Sequence, residues 1–146
     1  MKLSKTASHA AMAVTFLARQ SRTPLVRAKD VGEYLHLPTE SVLKILQGLA
    51  RQNLIQSQLG RRGGYYFAGN AEEVSLLEVV EAVDGPLASA VPLRPTDGPT
   101  TACVQRMQSA CDRAAEAARQ ELSRVSIADL VRCSTPAGGV TLAQAS

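Results

Sequence analysis

The chain lacks any run of apolar residues long enough to cross a bilayer, and it is poor in the side chains on which most enzymes depend. Its two histidines, His9 and His36, sit in no pattern that suggests a triad, and neither a phosphate-binding glycine loop nor a metal-ligand spacing occurs. These absences argue against an enzyme. Cysteine is scarce as well, with only Cys103, Cys111 and Cys133. The eight-residue step from Cys103 to Cys111 amounts to about 12 Å of helical rise, too far for a disulfide within one helix or for a shared cluster. Cys133 is expected to be a free thiol. A secretory signal is suggested by Met1-Lys2-Leu3 ahead of the apolar stretch 10–18, yet that stretch contains Thr15 and ends at Arg19. Ala7, Ala10, Ala11, Val14, Leu17 and Ala18 instead mark one face of an amphipathic helix, so a cytoplasmic protein with no membrane partner is expected.

The charge that is present is unevenly placed. Residues 1–70 hold ten Lys/Arg against three Asp/Glu, a net of +7, whereas residues 71–146 hold six against ten, a net of −4. A basic first half joined to an acidic second half is the footprint of a nucleic-acid module attached to something that does not touch nucleic acid. The length of 146 residues suits a small domain plus an oligomerisation element.

Within the basic half, Ala28, Val31, Tyr34 and Leu35 are apolar at helical spacing, which predicts a short helix. His36 and Leu37 make a turn, and Pro38 suits the first turn of the next helix because its missing N–H would have no intrahelical partner. That helix, over about 39–52, buries Val42, Ile45, Leu46 and Leu49. It leaves Thr39, Glu40, Ser41, Lys44 and Gln47 outward as candidate readers of base edges and phosphates. The period then changes. A strand over 54–59, the tip Gly60-Arg61-Arg62-Gly63-Gly64 and a second strand over 65–67 predict a hairpin wing. Glycines give the tip backbone freedom, and Arg61 and Arg62 put two permanent charges where a phosphate backbone or narrow minor groove would lie.

Beyond the wing, Ser75 with Glu78 fits a capping box that opens a helix to about Val83, stopped by Asp84-Gly85-Pro86. Residues 87–101 have no period and predict a long loop. From about Ala102 the helical period returns, with Val104, Met107, Cys111, Ala114, Ala118, Leu122 and Val125 in one stripe. Twenty-odd residues span on the order of 30 Å, longer than a small winged domain covers, so these seven residues are candidates for a dimer seam. Its alanines bury little area each, so the interface needs more than this helix. Ser126 with Asp129 repeats the capping pattern ahead of a last short helix, and the tail 133–146 is expected to be unstructured.

The fold class expected is therefore mainly α with a small β-hairpin. A winged helix-turn-helix domain (1–85) and a loop (86–101) precede a dimerisation helix with a short terminal helix (102–132).

Several stretches together resemble one family: Met1-Lys2-Leu3-Ser4, Gly63-Gly64-Tyr65, the run from Val74 to Pro86 (VSLLEVVEAVDGP), and Ser126-Ile127-Ala128-Asp129-Leu130. They resemble the IscR, NsrR and CymR family of bacterial winged-helix transcription regulators over about residues 1–132. The resemblance implies a homodimer crossed by the long helix, bound to a palindromic operator on double-stranded DNA and usually repressing. It also implies, in many members, an iron-sulfur cluster held by cysteines in the loop before the long helix. Here no cysteine falls between Gly85 and Cys103, Cys111 lies on the apolar stripe, and only Cys103 is near a ligand position, so no cofactor is expected. The family often has an arginine just before the first wing glycine, where this chain has Leu59. The leading expectation is a dimeric transcriptional repressor; the alternative is a winged-helix protein-interaction module that does not bind DNA.

Overall fold

Ser4 starts the first helix, α1 (Lys5–Arg19), by accepting a hydrogen bond from the Ala7 N–H at 2.9 Å on its Oγ. The computed structural model describes residues 1–20, 24–92 and 101–134; the expected loop residues 93–100 and the tail from 135 onward lie outside the described residues. After α1 come α2 (Ala28–Leu35), α3 (Thr39–Arg51), β1 (Gln56–Gln58), β2 (Gly64–Tyr66), α4 (Leu76–Asp84), α5 (Thr101–Arg124) and α6 (Ile127–Ser134). This is the mainly helical chain with one antiparallel hairpin that the sequence predicts.

The core forms around α1. Ala10, Ala13, Val14 and Leu17 meet Val31 of α2, Val42, Leu46 and Leu49 of α3, and Val79 of α4. Ile55 and Phe67 close it from the two roots of the hairpin. The alanines let neighbouring helices approach closely, and each large aliphatic side chain taken out of water contributes roughly 1.5–3 kcal/mol. Thr15 is the buried polar residue of this helix, and its Oγ1 donates to the Ala11 carbonyl at 2.7 Å, so its burial leaves no unmet hydrogen bond.

Helix α3 starts at Thr39 as expected, whereas both strands differ from the sequence reading and α6 runs on to Ser134, two residues into the expected tail. Pro38 is the N-cap of α3, and its carbonyl accepts from the Ser41 and Val42 N–H groups at 3.0 and 3.2 Å. The first strand is confined to Gln56–Gln58, because Asn53 takes a left-handed φ of 58° and the chain behind it turns Ile55 into the core at 1% exposure. The second strand starts at Gly64, one residue early.

The chain returns to the winged domain at its end. Asp129 Oδ2 accepts from the Ser126 N–H at 2.8 Å and the Asp129 N–H donates to Ser126 Oγ at 3.1 Å, which is the expected cap of α6. The Leu76 N–H donates to the Val125 carbonyl at 2.7 Å and the Ile127 N–H to the Val74 carbonyl at 2.8 Å, so α4 and α6 begin side by side. Ile127 is fully buried in the same core as α1. By contrast α5, at 24 residues, has Val104 as its single buried residue. An Arg119–Glu81 ion pair fastens α5 to α4, and Glu81 also accepts from the Leu87 N–H at 3.0 Å. Gln108 and Asp112 of α5 hold the start of the long loop through Ser89 and Val91.

Candidate nucleic-acid interface

The turn between α2 and α3 sets how α3 leaves the core. His36 adopts a left-handed conformation (φ 55°, ψ 44°), and the Leu37 N–H donates back to the Gly32 carbonyl at 2.9 Å. Helix α3 then turns Val42, Ile45, Leu46, Gly48 and Leu49 inward. Thr39, Glu40, Ser41, Lys44, Gln47 and Arg51 are exposed, as an amphipathic reader requires. Lys44 and Ser41 border a cleft toward α1. Gln47 and Arg51 share a hollow of about 410 Å³ with Ser57 and Tyr65 of the hairpin, so the face of α3 and the root of the wing flank one concavity.

The wing is built on the pairs Gln56–Tyr66, Ser57–Tyr65 and Gln58–Gly64. It also carries a third partner that sequence reasoning missed: Val26, ahead of α2, exchanges both hydrogen bonds with Tyr65 at 3.0 and 2.8 Å. The only signal for it was the apolar pair Leu25-Val26 between Pro24 and Arg27. At the tip, the Gly63 N–H donates to the Gly60 carbonyl at 2.9 Å and closes a turn that leaves Arg61 and Arg62 exposed. Beside them Leu59 is 95% exposed, an apolar side chain held out in solvent on a loop of cations.

The ion pairs of the described residues use none of the cations of α3 or the wing tip. They join Arg27 to Asp30, Lys29 to Glu33, and Arg119, Arg124 and Arg132 to acids of the second half. Lys5, Lys44, Arg51, Arg61 and Arg62 have no ion-pair partner among the described residues, so their field is left for an outside anion. Thr39 and Glu40 line neither hollow.

The cysteines do not gather. Cys103 and Cys133 are exposed, Cys111 is half-buried, and among the described residues no three His, Cys, Asp or Glu side chains stand where one metal ion would need them. Two thiols about 12 Å apart along one helix, with the third on α6, do not fit an iron-sulfur cluster within a single chain. Along the predicted seam, Met107 is 43% exposed, Ala114 is exposed, and Cys111, Ala118 and Leu122 are half-buried. Val104 is instead covered by its own chain, and Val125 lies past the end of α5 with its carbonyl bound to Leu76.

Known proteins resemble the chain in sequence and fold. An HTH-type transcriptional regulator of Mycobacterium tuberculosis is 34% identical over 106 residues, 70% of this chain; the match spans 66% of the mycobacterial protein. The regulator BadM of Rhodopseudomonas palustris is 38% identical over 55 residues, 38% of this chain and 35% of its own. Among solved structures, CymR (YrzC), the global cysteine regulator of B. subtilis, superposes with a TM-score of 0.71 at 17% identity, over 92% of this chain and 99% of that one. IscR of T. potens gives a TM-score of 0.72 at 17% identity, over 96% and 93%. At such identities these structures establish the winged-helix fold alone. Residues 3–133 match the family described as iron-dependent transcriptional regulators, and the chain belongs to that family, Rrf2.

Proposed function

We propose that the protein is a homodimeric repressor that reads a palindromic operator, with α3 in the major groove and the wing along the adjacent backbone or minor groove. The observation that carries this reading is the set of exposed cations with no ion-pair partner among the described residues: Lys44 and Arg51 on α3 and Arg61 and Arg62 on the wing tip. Thr39, Glu40, Ser41 and Gln47 supply the donors and acceptors that a base edge recognises, and the arginines supply affinity without sequence. Residues 1–85 form the DNA-binding part in this scheme, with α6 packed into its core and not with the dimerising part as expected, which leaves α5 to dimerise, in a cytoplasmic protein. Repression follows from occupying the operator.

Selection of bound duplexes from a random pool tests the reading. A palindrome whose half-sites are centred about 34 Å apart, or a multiple of that, is expected. Affinity for it should fall steeply with salt. The pair Arg61→Ala and Arg62→Ala should weaken binding to all sequences and reduce the salt slope by about two; unchanged affinity would remove the wing from the mechanism. Failure to enrich any duplex at any salt would favour a winged-helix module that binds protein.

A further inference from the structure

A second concave surface overlaps the edge of the proposed DNA face and shares Ser41, Lys44 and Arg51 with it. It lies where the start of α1, the flank of α3 and the end of α4 meet, and it encloses about 450 Å³. Its wall is apolar, formed by Ile45, Gly48 and Val83, while Lys5 and His9 of α1 and Lys44 and Arg51 of α3 stand around it. No aspartate or glutamate lines it. The acid at the end of α4, Asp84, lies outside the lining, and its Oδ1 accepts from Ser4 Oγ at 2.9 Å.

Three cations without ion-pair partners around one hollow repel one another, and an anion seated between them is attracted to all three at once. The apolar wall lowers the local dielectric and strengthens that attraction. A DNA phosphate would share that attraction but has no apolar body to cover Ile45 and Val83. An apolar wall with a few convergent polar groups, at this volume, is the make-up of a small-molecule site.

We propose that this cleft binds a small organic anion, with an apolar body against Ile45 and Val83 and a dianionic oxygen head group between Lys5, Lys44 and Arg51. His9 offers a ring N–H to the same head group in any protonation state. The site stands apart from the DNA reading. Its consequence rests on that reading: Lys44 and Ser41 border the cleft and also belong to the proposed DNA face, so an occupied cleft withdraws Lys44 from the phosphate backbone and acts as a release signal.

Phenyl phosphate is a suitable probe, with inorganic phosphate and phenol as head-only and body-only controls, titrated into the DNA-free full chain and followed by amide chemical shifts. Saturable one-to-one shifts at Gly48 and Val83 are expected, with a Kd at least tenfold below that of either control. Lys5→Glu, an exposed change near a helix start where an acid is tolerated, should raise that Kd at least tenfold while the protein stays folded. Ala82→Leu, which fills the wall, should bring the Kd to that of inorganic phosphate. Absence of saturation, or shifts indifferent to Lys5→Glu, overturns the site. A mixed-sequence duplex at low salt separates the two sources of phosphate. If the duplex perturbs Gly48 and Val83 and phenyl phosphate does not, the cleft is a DNA contact and the proposal fails. If phenyl phosphate binds and no duplex does, the site stands and the DNA reading falls. Where both bind, phenyl phosphate should weaken duplex binding at least threefold in the wild type and not in Lys5→Glu, and unchanged affinity overturns the release role.

Discussion

Gly64 opens the second strand of the wing, and a Cβ built there would lie 2.6 Å from the Val26 carbonyl oxygen and 3.0 Å from Leu25 Cβ. Both neighbours are held, since Val26 is hydrogen-bonded to Tyr65. Gly64→Ala is therefore expected to push the Val26 segment off the hairpin and destabilise the protein by about 1–3 kcal/mol, the range for overpacking. Thermal melts of the two proteins check this, and an unchanged melting temperature would mean the bridge yields freely. The same position shows what a sequence hides. Gly63-Gly64 beside Arg61-Arg62 marks a turn by composition, and the turn is where it was expected. The reason Gly64 has no side chain is a strand contact from residues nearly forty positions earlier in the chain, and no local pattern carries that information. Ser41, Lys44 and Gln47, in contrast, were legible because helical period alone assigns them to the face opposite Val42, Ile45 and Leu49.

At the scale of elements, the start of α6 depends on one carboxylate. The N–H of Ser126, the Arg132 side chain and the Ser126 hydroxyl, in that order, hold the Asp129 pKa at about 2, below its ordinary 3.8. A carboxyl whose folded pKa is depressed stabilises the fold above its unfolded value and loses that contribution as pH falls through the folded one. The contribution of this cap should be complete above the ordinary value of 3.8 and fade as pH drops toward about 2. Melting temperatures of the wild type and Asp129→Asn should accordingly differ by a constant amount at mild pH and converge within that acid window. A gap that stays open at its lower end would assign the cap's stability to something other than this charge. The cap itself was readable as Ser126 followed by Asp129. Where the capped helix docks was not: the Ser75–Ser126 bridge joins two capping serines from distant parts of the chain, and each reads correctly alone without naming the other. The first strand was overextended for a related reason. Leu54 and Ile55 continue an apolar run, but Ile55 is fixed by burial in the core and not by pairing with the hairpin.

At the scale of the whole molecule, α5 is the helix its own chain leaves least covered. Its 24 residues extend about 36 Å, and Val104 is the one residue buried on it. Met107, Cys111, Ala114 and Ala118 continue the stripe with small or flexible side chains, which permit a second helix to come close. A stable pair needs about 800 Å² from each partner, more than four such residues supply, so a dimer seam along this stripe would have to take in other surfaces as well. The Arg119–Glu81 pair fixes α5 to α4, and α4 shares the core with α3 through Val79, so two molecules joined along α5 would hold their α3 helices at a set spacing. That coupling of seam to reader is what a palindrome requires. Ala114→Arg places a long cation in the middle of the stripe at an exposed position, where it disturbs little within one chain. Sedimentation at micromolar concentration should show a dimer for the wild type and a monomer for this variant. The variant should lose at least a hundredfold in affinity for a duplex holding both half-sites, while its affinity for a duplex holding a single half-site stays within about threefold of the wild type's for the same duplex, since the α3 face is untouched. A variant that remains dimeric would move the seam away from α5, and a monomer that still binds the full palindrome at wild-type affinity would show that the two readers act independently.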